Sequence, residues 1–257
     1  MGKTPPIQVF VRHAYYSRAS FHKPRLPKFS PEKCYRNLIA TTAPSEAKLT
    51  FLLDTHFGEG QDHFLKEQSN YPVIEINGGC EASSFLQMLD YVTSHSFAEE
   101  TPIYFLEDDY LHRPGWAQIL SEGLSLPSTD YLTLFDDQDK YTDPRYETLR
   151  SQIFHTESCH WRTTPSTTNT YAMRFSTLKK HLPVHQKYSE DREISADHEK
   201  FCALTDLGAT LISSIPGFAT HIDPGHISPC HVWEKYFKKP RGERKFSPLQ
   251  KLLGKKQ

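Results

Sequence analysis

The chain has 257 residues, of which 37% are hydrophobic, 12% aromatic and 24% charged; this fits one folded domain or two small ones and excludes global disorder. Its formal net charge of −1 hides an asymmetry: residues 238–257 carry eight Lys or Arg against Glu243 alone, a net +7, so the first 237 residues sum to −8. No apolar run reaches the roughly 18 residues of a membrane span, residues 1–6 have no apolar leader core, and five widely spaced cysteines form no Cys-x-x-Cys, so a cytoplasmic protein with buried free thiols is expected.

In chain order, residues 7–12 read as an opening strand ending at Arg12. Pro24, Pro27 and Pro31 then punctuate a loop before a helix over about 32–41. Residues 50–54 form a short apolar run closed by Asp54, the pattern of a buried parallel strand. A polar helix over about 60–68 precedes a strand at 72–76. Phe85, Leu86, Leu89 and Val92 recur at helical spacing within 81–94. Strands at 103–106 and 130–135 flank a helix at 116–124. This alternation predicts a mostly parallel sheet covered on both faces. The second half is less regular, with a polar stretch at 155–170, a helix over about 196–207, a strand at 209–214 and a His/Pro-rich segment at 216–233.

The most informative segment is Glu107-Asp108-Asp109, three acids that directly follow an apolar strand. Ligands of open α/β sheets sit at the carboxyl ends of strands, and carboxylates there suit a hard divalent cation such as Mg²⁺ or Mn²⁺ bound with phosphates. The same acids also fit a solvated turn. Asn77-Gly78-Gly79 leads into Ala82-Ser83-Ser84 at a helix start, where free N–H groups suit an anion, or where the serines cap the helix. Asp197 opens the helix at 196–207, either as a dipole-favoured acid or as a general base aimed into a cleft.

Together these residues resemble the metal-dependent nucleotide-sugar glycosyltransferases of the GT-A fold, family-2 type. That family shows an Asn-x-Gly turn, an Ala-Arg-Asn helix start, a strand ending in Asp-x-Asp, and later a Glu-Asp before a helix, a Gly, a strand, a Pro and a His. The corresponding residues here are Asn77-Gly78-Gly79, Ala82-Ser83-Ser84, Glu107-Asp108-Asp109, Asp197, Gly208 and His221. The chain departs from the pattern at Glu107, at Ser83-Ser84 and at Ala196, and Ser189-Glu190-Asp191 is a rival for the later acid.

The resemblance implies a GT-A-like, Rossmann-type mixed sheet flanked by helices in a single domain over residues 1–237, with 238–257 as a basic tail. It implies transfer of a sugar from a nucleoside-diphosphate sugar, a UDP-sugar in the first instance, to a glycan or lipid-linked acceptor hydroxyl with inversion. Asp109 and His221 would hold Mn²⁺ or Mg²⁺, and Asp197 would be the base. Arg12, Asp54, Asn77, Gly79, Ser83, Ser84, Glu107 and Asp108 would contact the donor. A polar stretch with one aromatic, His160-Trp161-Arg162 through Thr170, either lines the acceptor site or is a Ser/Thr-rich loop anchored by Trp161.

Two alternatives stand beside this reading. A sugar nucleotidyltransferase would normally carry a Gly-rich phosphate loop after the first strand, and residues 12–30 contain no glycine. A non-catalytic membrane-associated binding module would leave the acids as mere surface. The tail, with Phe246, Leu249, Leu252 and Leu253 among its cations, fits either an anionic membrane surface or a solubilising extension. Nucleic acid is not expected as a partner of the acidic body.

Overall fold

The computed structural model describes residues 5–237, so the basic tail lies outside the described residues. Eight residues, Ile7–Ala14 (β1), are apolar enough to be covered on both faces, and β1 lies between two parallel neighbours, Ala47–Asp54 (β2) and Pro102–Glu107 (β4). Val73–Ile76 (β3) adds in parallel to β2. The registers pair Ala14 with Asp54, Asp54 with Ile76, and Arg12 with Glu107, which brings the carboxyl ends of all four strands to one edge.

Beyond β4 the sheet departs from the mostly parallel expectation. Tyr171–Arg174 (β9) inserts antiparallel between β4 and Tyr131–Thr133 (β6). Leu211–Ile215 (β10) then pairs parallel to β6, and His160–Thr163 (β8) and Ile153–His155 (β7) complete the nine strands antiparallel. The half of the chain that reads as irregular therefore supplies four strands of the sheet. A second, two-stranded sheet joins Tyr110–His112 (β5) to Ala219–His221 (β11). The architecture is a single α/β domain with a large mixed sheet flanked by helices.

Side-chain alternation along β1 divides the core. Ile7, Val9 and Val11 face Tyr35 and Leu38 of Pro31–Thr41 (α1), Leu65 of Phe64–Gln68 (α2) and Trp116 and Leu120 of Trp116–Leu124 (α4). Phe10 faces the opposite layer, built from Phe85, Met88, Leu89 and Val92 of Glu81–Thr93 (α3), Phe175 and Leu178 of Phe175–Lys187 (α6), and Phe201 and Leu204 of Asp197–Asp206 (α7). A short helix, Asp139–Thr142 (α5), follows β6. Pro31 is the first residue of α1 behind the N-cap Ser30, whose side chain accepts from the Lys33 amide.

Helix α6 is absent from the sequence reading. Its buried residues are Phe175, Thr177, Leu178, His181 and His185, so three of five inward positions are polar. The two histidines meet Tyr131 and Tyr171: the Tyr131 hydroxyl lies 2.9 Å from His181 Nδ1 and 3.0 Å from His185 Nε2, and the Tyr171 hydroxyl 3.0 Å from His185 Nδ1, while His181 Nε2 is buried without a partner among the described residues. Burial holds both histidines below their usual range. All five cysteines are free, yet only Cys34 and Cys159 are buried; Cys202 and Cys230 are exposed and Cys80 is half-buried, which corrects the expectation of buried thiols.

Candidate active site

β4 ends on Glu107, and Asp108 and Asp109 turn the chain into β5. The β5–β11 pairing sets His221 opposite Tyr110, and this places His221 Nε2 2.9 Å from Asp109 Oδ2. The Arg25 guanidinium reaches the same oxygen at 3.1 Å. It is carried there by residues 15–30, which are pinned by Leu26: its amide donates to the Ile222 carbonyl and its side chain packs with Cys34, Leu111, Ile222, Trp233 and Phe237. Burial would raise Asp109, but His221 and Arg25 outweigh it and hold its carboxyl at about 2.

The two neighbouring acids respond in the opposite sense. Burial, reinforced by Asp109 and Glu107, pushes Asp108 up to about 8. Burial, opposed by Arg12 and reinforced by Asp109, Glu81 and Asp197, pushes Glu107 up to about 7. Beside Asp108, at 3.6 Å from its Oδ2, is Nδ1 of His13, whose ring nitrogens are buried without a hydrogen-bond partner among the described residues; burial lowers His13 to about 3.

Asp54 closes β2 and organises the next turn. Its Oδ1 accepts from the amides of His56 (3.0 Å) and Gly78 (3.2 Å), and its Oδ2 from the Gly79 amide (2.9 Å) and the Ser84 hydroxyl. Glycine is required at this turn: a Cβ on Gly78 would lie 2.6 Å from the Ser84 nitrogen, and Gly79 has φ +73°. The helix cap expected from Ser83 and Ser84 is instead Cys80, whose Sγ accepts from the Ser83 amide at 3.4 Å. Asn77 Oδ1 meets His56 Nδ1 at 2.8 Å. The Asp54 carboxylate is thus occupied by the turn it shapes.

A network that the sequence reading does not contain joins these strand ends to α7. Glu81, the first residue of α3, takes Arg12 Nη2 (2.6 Å) and Asn169 Nδ2 (2.9 Å) on Oε1, and the Ser195 amide (2.8 Å) on Oε2. Arg12 Nη2 also reaches Glu107 Oε1 at 3.3 Å, and its Nη1 donates to the Glu81 carbonyl. Burial would raise Glu81, but Arg12, the Ser195 amide and Asn169 outweigh it and hold its carboxyl at about 2. Lys200 Nζ, fully buried, donates to Asp197 Oδ1 at 2.9 Å and to Asn169 Oδ1. Burial raises Asp197 against the pull of Lys200. Lys200 falls between Asp197 and the buried Phe201 and Leu204 on one helix face, and a lysine on an apolar stripe was the available signal.

Arg12, His13, Asp54, Gly79, Glu81, Ser84, Glu107 and Asp108 line one cleft of about 180 Å³, roofed by residues 16–19 and His22. The β-strand edge therefore gathers most of the sequence candidates. Ser83, Asn77, Asp109, Asp197 and His221 lie outside the cleft lining; Asp109 and Asp197 are tied to it by charge interactions with Glu107, Asp108 and Glu81, and His221 through Asp109. Asp191 is an exposed residue in a left-handed turn, whereas Asp197 joins the network. Trp161 is fully buried, with Gly123 so close that a Cβ there would stand 2.6 Å from the indole, so it is core and not an acceptor platform. Of the remaining histidines in the 216–233 segment, His226 pairs with Asp137 at 3.2 Å and His231 with Tyr236 at 3.2 Å. Asp137, Asp139 and His226 form a second acidic group outside the cleft lining, with the His226 ring 6.4 Å from that of His221 and the Lys140 ammonium on Asp139.

Four carboxylates (Glu81, Glu107, Asp109, Asp197) meet three cations in direct contact (Arg12, Arg25, Lys200), and Asp108 lies beside them against His13. A divalent cation would favour the charged forms of Glu107 and Asp108, which burial and their acidic neighbours otherwise disfavour. Oxygen and imidazole donors from Asp109 and His221 suit Mg²⁺ or Mn²⁺, with phosphate oxygens or water completing the shell.

No protein-family model and no curated protein matches the chain. Solved structures similar to it include a CMP:2-keto-3-deoxy-manno-octonic acid synthetase complexed with CTP, with TM-score 0.48 and 13% identity over 83% of this chain and 92% of that one. A nucleotidyl transferase from Methanothermobacter thermautotroptrophicus has TM-score 0.46 and 12% identity over 81% and 87%.

Proposed function

We propose that the protein is a divalent-cation-dependent transferase acting on nucleotide sugars, and that the group it moves is the glycosyl group. The observation that carries this reading is the joining of the strand-end acids to a second carboxylate, Asp197, through Arg12, Glu81, Asn169 and Lys200. Asp109 and His221 would hold Mn²⁺ or Mg²⁺, which supplies charge stabilisation of a departing diphosphate. Lys200 holds Asp197 Oδ1, leaving Oδ2 to take the proton of an acceptor hydroxyl. The turn at residues 77–79, ordered by Asp54, and the first turn of α3 border the donor cleft. In-line attack by the hydroxyl that Asp197 deprotonates, on the face opposite the departing diphosphate, would give inversion.

Nucleotidyl transfer is the second reading. It is the activity for which one of the solved structures above is named, although likeness at these TM-scores argues for neither reading. The observation favouring it is that the segment after β1, though free of glycine, brings Arg18 and His22 to the cleft, where they suit a triphosphate. Incubating the protein with Mn²⁺ and either UDP-sugars or a nucleoside triphosphate plus sugar phosphate separates the two. Release of UDP supports glycosyl transfer, release of pyrophosphate supports nucleotidyl transfer, and turnover of neither leaves the non-catalytic binding module. The acceptor, glycan or lipid-linked, and docking of the tail on an anionic membrane belong to the same proposal; co-sedimentation with anionic vesicles, with and without residues 238–257, tests the latter.

A further inference from the structure

Lys200 is fully buried, and its ring neighbours are Phe85, Tyr171 and Phe201, with centroids 4.8, 5.3 and 5.5 Å from Nζ. Burial takes the Lys200 ammonium out of water, a cost that only its hydrogen-bonded partners offset. Its only ion-pair partner among the described residues is Asp197, one turn earlier on α7, and its second acceptor is Asn169 Oδ1. Asn169 is itself buried, and its amide is aimed at Glu81, which holds Arg12, which reaches Glu107. Each polar group of this series is hydrogen-bonded to the next. One end of the series is at the strand-end acids and the other is a carboxylate with 26% of its side chain exposed.

We infer that Lys200 is a positioning residue that orients Asp197 as a carboxylate and, through Asn169, Glu81 and Arg12, sets its place relative to Glu107. The inference rests on the reading of Asp197 as the base. Lys200 acts through Asp197 and touches no substrate. The charged and titratable groups facing Asp197 are Lys200 on its own helix, Glu81 on α3, Arg12 on β1, Glu107 on β4 and Tyr171 on β9, with His185 of α6 behind Lys200. Among them Lys200 is the cation in direct contact.

The test is a ¹³C-carboxyl aspartate NMR titration of the full chain, with Asp197 assigned by the loss of its signal in Asp197→Asn. Removing a contacting cation raises a carboxyl by about 1–3 units. Lys200→Met and Lys200→Gln should both raise the Asp197 midpoint by at least about one unit, whereas Lys200→Arg should leave it near wild type. Where turnover is measurable, the acid limb of kcat should move the same way, with KM for the nucleotide within about twofold. Lys200→Gln keeps a hydrogen-bond donor, so it serves if Lys200→Met does not fold. An unchanged midpoint in a folded neutral variant overturns the inference. A shifted midpoint in a protein without nucleotide turnover upholds the coupling and overturns only the reading of Asp197 as a catalytic base.

Discussion

His221 Nε2 lies 2.9 Å from Asp109 Oδ2, although 112 residues separate the two in sequence. The contact is made by a two-stranded sheet: β5 leaves the acid cluster directly, and β11 returns beside it. Arg25 shares the same carboxylate oxygen and so competes with any cation bound there. His221→Gln should weaken Mn²⁺ binding at least about tenfold, since loss of even a group that only orients a metal ligand costs about that much. Arg25→Met should instead tighten it. Isothermal titration with Mn²⁺ alone reads both changes, and equal affinities in all three proteins would remove Asp109 and His221 from the cation site.

Cation binding should depend on pH in a defined direction. Glu107 and Asp108 titrate at about 7 and about 8, above the ordinary carboxylate range, because burial and their acidic neighbours disfavour charge. Their contribution to the stability of the cation-free protein is complete below the ordinary carboxylate values and is lost as pH rises through about 7 to 8. A cation favours the charged forms, so Mn²⁺ affinity should rise between pH 6 and 8, by up to about tenfold per unit for each proton released. Calorimetry in buffers of different ionisation enthalpy counts those protons. A flat profile with no proton release contradicts the assignment.

Glu81 gives a prediction of opposite sign. Its carboxyl is held at about 2, below the ordinary 4.5. Its contribution is therefore present above about 4.5 and lost as pH falls toward 2. Glu81→Gln leaves buried Arg12 with Glu107 as its only charged partner and should cost about 3–5 kcal/mol at neutral pH. That corresponds to a Tm lower by roughly 10 °C for a chain of this size. The gap between wild type and variant should narrow as pH falls through that window. Thermal unfolding followed by circular dichroism measures it.

Trp161 tests the assignment of residues 160–170. Its indole is buried against Gly123 and Leu132, and its Nε1 donates to Thr156 at 3.2 Å. Gly123→Ala should destabilise the fold by about 1–3 kcal/mol through overpacking. Nucleotide affinity should stay within about twofold of wild type, since neither residue lines the cleft. A loss of transfer to the acceptor larger than the loss of stability, with nucleotide affinity intact, would return Trp161 to the acceptor site.

The parts of the fold legible in the sequence are those whose signals are local. The apolar runs of β1, β2 and β4 and the spacing of Phe85, Leu89 and Val92 read directly as strand and helix. The acids at 107–109 could be placed at strand ends for the same reason. β9 could not, because four residues inserted antiparallel between strands from elsewhere leave no local mark. α6 was hidden by His181 and His185 on its inner face, which only their tyrosine partners explain. Glu81, Asn169 and Lys200 are separated by up to 119 residues and become one network only when β9 and α7 pack onto α3. Arg12 and Asp54 were legible as cleft residues, but not as groups already engaged with their own neighbours.

The central claim is that the strand-end acids bind a nucleotide through a divalent cation. Its most direct test is calorimetric titration of UDP into the full chain, in Mn²⁺ and in EDTA, alongside Asp109→Ala. The account predicts binding at least about tenfold tighter with Mn²⁺, an advantage that Asp109→Ala abolishes. Equal UDP affinity with Mn²⁺ and with EDTA, or an advantage that survives in Asp109→Ala, would contradict it.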